Sequence, residues 1–476
     1  MADVSDFYDE SYRDTVSHVD AKGKRVWFFP KKPVGKLYEY RKLLSYVFLI
    51  FFFALPFIKI NGDPFFLFNV IERKFILFGV RFWPQDFFLL VIGMLIFIVF
   101  IALFTVVYGR VFCGWICPQT IFMEMVFRRI EYAIEGDAAH QRALKKAPWN
   151  AEKIRKRVLK IVLFFVVSVI VANTFLAYII GIDELKKIIT EPFSQHVGGF
   201  MAMIIFSGVF FFIYYWFREQ VCLVVCPYGR MQSVLLDKNS IVVAYDYKRG
   251  EPRAKFSKKP EKPVGDCIDC NECVRVCPTG IDIRHGTQLE CVNCTACIDA
   301  CNMIMDKVNR PKDLIRYASE HSIQTGDKLK WTPRIIGYTA VLFALIGLES
   351  FFLITRTDVD ITINRARGQI FNRQQDGQVN NLYMMKIINK TKDDMHLEMK
   401  VDGADLVIIG ENQVVKADSM IEGQFFIMMP ESLITKRKYD MQVMVYNNGK
   451  LLTQKPVHFI GPANTKAGET EQNINP

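Results

Sequence analysis

CIDCNECVRVC (Cys267–Cys277) and CVNCTACIDAC (Cys291–Cys301) decide the reading of this chain. Each run is C-x2-C-x2-C-x3-C, the spacing of a bacterial two-cluster iron–sulfur protein. Three closely spaced thiolates grip three corners of a cubane, and the fourth cysteine reaches across to the other cubane. On that rule Cys267, Cys270, Cys273 and Cys301 hold one [4Fe–4S] cluster, and Cys291, Cys294, Cys297 and Cys277 hold the second. Pro278 follows Cys277 as the motif expects, whereas Asn302 stands after Cys301. Structural zinc favours paired C-x2-C groups, and two full tandem runs speak against both zinc and disulfides. The residues point to electron transfer.

Working outward, VFCGWICPQT carries Cys113 and Cys117, and VCLVVCPYGR carries Cys222 and Cys226. Both are C-x3-C followed by proline, Pro118 and Pro227. On a helix, positions i and i+4 share a face, so each pair can present two sulfurs together. The plainer reading is a small buried residue where a helix stops before proline. Two pairs at equivalent places favour one shared redox or metal site, and the four cysteines are the candidate catalytic residues.

The chain has 476 residues, too many for one ordinary domain, and its 51% hydrophobic content with 40 Phe falls in blocks. Five blocks approach the roughly 20 apolar residues that cross a bilayer. They are predicted at about residues 43–58, 87–108, 158–180, 197–217 and 335–354. Some forty polar residues precede the first block and no small-residue cleavage site follows it, so no secretory signal peptide is expected. Lys and Arg crowd the N-terminal arm and the connection containing Arg128, Arg129, Lys145, Lys146 and Arg155. The 181–196 connection offers only Lys186 and Lys187 against Asp183, Glu184 and Glu191. The positive-inside rule then puts the N-terminus and all twelve cysteines in the cytoplasm or at its membrane edge, and the C-terminus outside. That is the reducing side, where thiols stay available as ligands. The net charge of +11 reflects this bias, and no basic, aromatic-bearing face argues for nucleic acid.

The arm with KKPVGK (Lys31–Lys36) reads as a membrane-surface segment, and the apolar 60–88 stretch as an interfacial one with Trp83 as anchor. An amphipathic helix is predicted from Ile121 to Ile134 with Glu124, Arg128, Arg129 and Glu131 on its polar side. Lys160 at the inner edge needs no special role, while Glu349, ionisable at membrane depth, is either functional or a snorkelling acid near the outer edge. Past residue 355 the texture has period two, as in MHLEMKV (Met395–Val401), and about seven strand-like runs predict an Ig-like β-sandwich. Its methionines, among them Met384, Met385, Met395, Met399, Met428, Met429, Met441 and Met444, are soft enough for copper(I), but alternation explains most as core. His396 falls on the polar face.

The expected fold is therefore a membrane α-helical protein with five transmembrane helices, an inserted two-cluster bacterial ferredoxin-like domain and a C-terminal Ig-like β-sandwich. The expected divisions are an arm (1–42), four crossings with the first C-x3-C-P motif (43–217), and a segment with the second motif and the cluster domain (218–334). The fifth crossing (335–354), the sandwich (355–462) and a tail of disordered composition (463–476) follow.

These strings resemble the FixG/RdxA/CcoG family, membrane ferredoxin-like accessory proteins of the cbb-type cytochrome c oxidase. The resemblance covers most of the chain: FFPKKPVGKLYEYR, INGDP, FWPQDFF, GRVFCGWICPQTIFMEMVFRRIEYAIEGD, FREQVCLVVCPYGRMQ, LLDKNSIVVAYDYKRGEPR and both cluster runs. It implies a bacterial inner-membrane protein with two [4Fe–4S] clusters that helps to assemble the oxidase. Specifically, it implies a cupric reductase that converts Cu(II) to Cu(I) before copper reaches the oxidase. Cys113, Cys117, Cys222 and Cys226 would hold or reduce copper. Implied partners are the oxidase assembly machinery, copper chaperones or transporters, membrane lipid and an electron donor. No G-x-G-x-x-G follows a strand, so the donor is another protein or a membrane quinol. Two other classes are a respiratory relay resembling the quinol-linked NapH and NosR proteins, and an assembly scaffold whose clusters only stabilise the fold.

Overall fold

The computed structural model describes residues 24–462, save 61, 71–73, 84–85, 257–262, 289, 328–331, 358, 367, 369, 375, 392, 411–413 and 418. The 463–476 tail and the linker around residue 258 thus lie outside or partly outside the described residues. The chain forms two compact units, residues 1–350 and 351–476.

Among the described residues, five helices are long and apolar enough to cross a membrane: Lys36–Phe57, Phe87–Tyr108, Ala151–Ile180, Val197–Phe217 and Pro333–Ile354. This makes the protein multi-pass by composition. The first and third begin about seven residues before the predicted blocks, because amphipathic turns carrying Lys36, Arg41, Lys153 and Lys156 continue straight into the apolar stretches. Gly109, at φ +55, ends the second span, and a Cβ there would meet the Ile241 carbonyl at 2.9 Å. Only glycine suits that left-handed, crowded corner.

The arm is tied to the cluster segment: Lys31 pairs with Glu272 at 2.8 Å, and the Tyr38 amide donates to the Asp299 carboxylate at 2.8 Å. Gly35 makes this possible, since a Cβ would stand 2.2 Å from Asp299 Cγ. The apolar 60–88 stretch takes up β structure. It folds into a two-stranded ladder (Lys59–Ile60, Asp63–Pro64) and a three-stranded antiparallel sheet (Phe66–Asn69, Lys74–Leu77, Val80–Phe82). Its alternating apolar residues bury Leu67 and Ile76 on one face.

The cluster segment is closed by one antiparallel pair, Val242–Tyr245 with Ile315–Ala318, which ties its two ends together.

The second unit is the expected β-rich Ig-like sandwich. Seven strands of five or more residues, with two short ones, make two antiparallel sheets among the described residues. The inward set, with Phe425, Ile427, Val443, Val445 and Phe459, is fully buried. The sheets are latched by the Tyr383 hydroxyl donating to the His458 carbonyl at 2.8 Å and by Asn381 exchanging bonds with Ile460 at 2.8 and 3.1 Å. Met385, Met395, Met429 and Met441 belong to this core, while Met384 and His396 face outward. Alternation therefore accounts for these methionines, as period two requires.

Candidate functional site

The two ferredoxin runs fold alike. Asp269 and Asn293 sit at matched positions, as do Asn271 and Thr295, and all four have positive φ (52°, 53°, 59° and 65°). Asn and Asp tolerate that conformation, and such turns point backbone N–H groups inward toward an anion.

The eight thiols fall into two sets. Cys301 lies within electrostatic reach of Cys267 and Cys270, and Cys273 of Cys270 and Cys301. In the other set Cys277 interacts with Cys291, Cys294 and Cys297. One cavity is lined by Cys277, Cys291, Cys294 and Cys297 together with Cys273 of the other set. The grouping crosses between runs, so Cys277 and Cys301 each face the partners supplied by the other run.

The surroundings suit an anionic group. Burial pushes the Cys291 thiol up to about 12, Cys294 to about 11 and Cys301 to about 12. A bare thiolate is disfavoured there, and metal ligation supplies the compensating charge. Buried cations stand close by: Arg41 near Cys294, Arg110 near Cys291 and Arg284 near Cys273. The residues present fit a thiolate-held cluster in each set.

The C-x3-C-P motifs do not lie on continuous helix faces. Cys113 is inside a short helix (Val111–Trp115), but Cys117 is extended at ψ 123 and starts the next helix with Pro118. Cys222 is in a π-helical turn (Val221–Val225), and Cys226 is extended at ψ 111 before Pro227. Proline forces the preceding residue out of the helical region, so each pair straddles a break. The pairs nevertheless converge. Cys222 is in electrostatic reach of Cys117, Cys113 and Cys226, and burial first, then these neighbours, raise its pKa. Burial and Cys117 push Cys113 up to about 12 against Arg110, and its thiol donates to Gln232 Oε1 at 3.2 Å.

The first motif also bridges two environments. Cys113 packs against the buried cluster of Val276, Val292, Cys294, Ala296 and Ala300, against which Cys297 also packs. At its other end Pro118, Gln119 and Phe122 face Val171, Phe175 and Tyr178 of the third span. Val171 lies eleven residues beyond Lys160, or roughly 16 Å along the helix. Cys117 therefore precedes a helix whose first residues pack within the bundle.

Three charges of the 121–134 segment, Glu124, Arg128 and Glu131, are held in an ion-pair network. Arg128 bonds Glu124 at 2.9 Å and also Glu219, Arg218 grips Glu131 bidentately at 2.7 and 2.8 Å, and Lys160 reaches Glu131 at 2.6 Å. Lys160 thus has a structural role. Burial pushes Glu131 up, but Arg218 and then Lys160 overcome it and hold the carboxyl well below the usual range. Three π-helical turns, Phe122–Phe127, Ile213–Phe217 and Val221–Val225, lie around the thiols, a feature common at functional sites. Glu349 of the fifth span faces the second, where a Cβ on Gly93 would be 3.9 Å from its carboxylate. Sequence reading did not single out Arg41, Arg110, Arg218 or Gln232; ionisable residues flanking apolar blocks were the available signal.

Comparison with known proteins agrees with this geometry. A model of a 4Fe-4S dicluster domain matches residues 217–320, one of a 4Fe-4S binding domain matches residues 90–144, and the IG-like fold at the C-terminal of FixG matches residues 350–462. Nitrogen fixation protein FixG of Rhizobium meliloti is 33% identical over 442 residues, 82% of each chain. Protein RdxA of Cereibacter sphaeroides is 36% identical over 71% of this chain and 73% of its own. Protein RdxB of the same organism is 33% identical over 81% and 84%. With iron–sulfur binding domains joined to multiple spans and the FixG-type sandwich, this chain belongs to the FixG/RdxA/RdxB family of membrane iron–sulfur electron-transport proteins.

Proposed function

We propose that this protein is a membrane cupric reductase, an oxidoreductase that supplies Cu(I) for assembly of a cbb-type cytochrome c oxidase. The observation that supports this reading is that Cys113, in electrostatic reach of Cys117 and Cys222, packs against the buried cluster that contains Cys294 and against which Cys297 also packs. In it, Cys267, Cys270, Cys273 and Cys301 hold one [4Fe–4S] cluster, and Cys277, Cys291, Cys294 and Cys297 hold the other. When bound, each cluster supplies storage for a single electron.

Copper is the substrate. The C-x3-C-P cysteines offer soft sulfur, which favours Cu(I) over Cu(II), so a copper ion held there is easier to reduce and is released to a thiol-based acceptor. Arg110 and Gln232 orient Cys113, and the Glu131–Arg218 pair locks the helix that begins at Cys117. The Lys and Arg bias supports a bacterial inner-membrane location with the cysteines cytoplasmic and the sandwich periplasmic. Partners are copper chaperones or transporters and the oxidase assembly machinery.

The test is direct. Anaerobic, dithionite-reduced protein freed of reductant should turn Cu(II) into Cu(I), read with a Cu(I)-specific chelator, as the cluster absorbance recovers. Cys113→Ser with Cys117→Ser, or Cys222→Ser with Cys226→Ser, should abolish this with iron and sulfide content unchanged. Parental rates in both double variants would remove the C-x3-C-P site from the reaction.

A further inference from the structure

A cavity of about 410 Å³ opens among the first, third and fourth spans, beside the first C-x3-C-P motif. Phe52, Phe122, Phe175 and Phe210 wall it, and Gln119, Tyr178 and Tyr214 are its polar groups. We infer that this cavity binds the ring of a lipid-soluble quinol, which donates electrons to the protein.

Four observations select that occupant. The cavity lies at the depth of Val171 and Phe175 in a membrane-spanning helix, so its ligand arrives through lipid. Its aromatic walls suit a flat ring, which stacks or meets ring edges favourably. Its volume is within the range of small-molecule sites, which combine apolar walls with a few placed polar groups. Finally, one end touches the redox chain: Pro118 and Gln119 follow Cys117, and Tyr214 is within electrostatic reach of both Cys117 and Cys222. An acyl chain would use the walls alone, whereas the oxygens of a quinol can also meet the Tyr214 hydroxyl and the Gln119 side-chain oxygen; the Tyr178 hydroxyl and the Gln119 amide N–H already donate to the Phe52 and Arg218 carbonyls at 2.8 and 3.4 Å.

The chemistry balances. The quinol loses two electrons and two protons and becomes a quinone. The two electrons go to the two oxidised iron–sulfur clusters of this chain, one to each. Gln119 lines a second pocket as well, shared with Thr120, Glu124, Glu219 and Cys222. The two protons leave to water by that side, past Gln119.

The inference rests on the electron-transfer reading, and its test needs no copper, so the two fail separately. Full-length protein in phosphatidylcholine nanodiscs is photolabelled with an azidobenzoquinone bearing a decyl tail, and the labelled peptides are mapped. Label is expected in peptides containing residues 118–122, 171–178 or 210–214, displaced by decylubiquinol. Phe175→Trp, which fills the cavity, should lower labelling at least tenfold. Anaerobic decylubiquinol should bleach the cluster absorbance in the parent and at least tenfold more slowly in Phe175→Trp, with dithionite bleaching both equally. Should Phe175→Trp lose its iron, Gln119→Leu, close in size, replaces it. Label mapping elsewhere, displacement by added phospholipid as readily as by quinol, absence of bleaching by quinol, or parental behaviour of the variant would each overturn the inference.

Discussion

Gly114 lies so close to the backbone of Val292 that a Cβ at position 114 would stand 2.4 Å from the Val292 carbonyl oxygen and 3.0 Å from the Asn293 carbonyl carbon. The Gly114 carbonyl in turn accepts a 2.7 Å bond from Arg41 Nε, the guanidinium beside Cys294. The middle of the first C-x3-C-P motif is thereby pressed onto the turn between Cys291 and Cys294, and a side chain there would separate the two sulfur systems.

Gly114→Ala should therefore cost about 1–3 kcal/mol through overpacking against backbone that cannot yield. Gly337→Ala, which would meet nothing within 4 Å, is the control. Thermal melting should fall for the first and stay level for the second. Copper reduction by Gly114→Ala should slow even where iron content is kept.

Crossed ligation makes a distinct prediction. Cys277→Ser should damage the cluster built mainly by Cys291, Cys294 and Cys297, since Cys277 shares their cavity. Paramagnetic resonance of the reduced protein should lose the signal that Cys294→Ser also removes. Loss of the signal sensitive to Cys270→Ser instead would reverse the assignment.

The buried network gives a pH dependence with a definite sign. Glu131 has a folded pKa held below its ordinary value of 4.5, after burial is outweighed by Arg218 and Lys160. Its contribution is present above that ordinary value and is lost as pH falls through the folded one. Melting temperature should drop on acidification from pH 5 downward, and less steeply in Glu131→Gln. Arg218→Ala at pH 7 leaves a buried carboxylate short of its bidentate partner and should cost about 3–5 kcal/mol.

Orientation is tested by fusion. Alkaline phosphatase joined after Pro462 should be active, and joined within the linker at residue 258 it should be inactive. The reverse pattern would overturn the positive-inside reading.

Much of the architecture was legible locally. Cysteine spacing, apolar blocks and period-two alternation are short-range patterns, so the two ferredoxin runs, the five spans and the seven longer strands could be read from residues adjacent in the chain. Met395 and Leu397 alternate inward and His396 and Glu398 outward, as counting alone requires. Helix starts were less legible, because turns carrying Arg41 or Lys153 have mixed composition even where the backbone is continuous.

By itself, then, the sequence determined which atoms are available: eight thiols at ferredoxin spacing, four more beside prolines, and enough apolar length for a bilayer. Tertiary structure alone decided who meets whom. The helix break at Cys117–Pro118, the descent of Phe122 to the level of Val171, the bidentate Arg218–Glu131 pair and the contact of Gly114 with Val292 all join residues far apart in sequence. Such contacts depend on how preformed elements pack into a dense interior, where one missing Cβ or one paired charge selects the arrangement, and no local spacing records that choice.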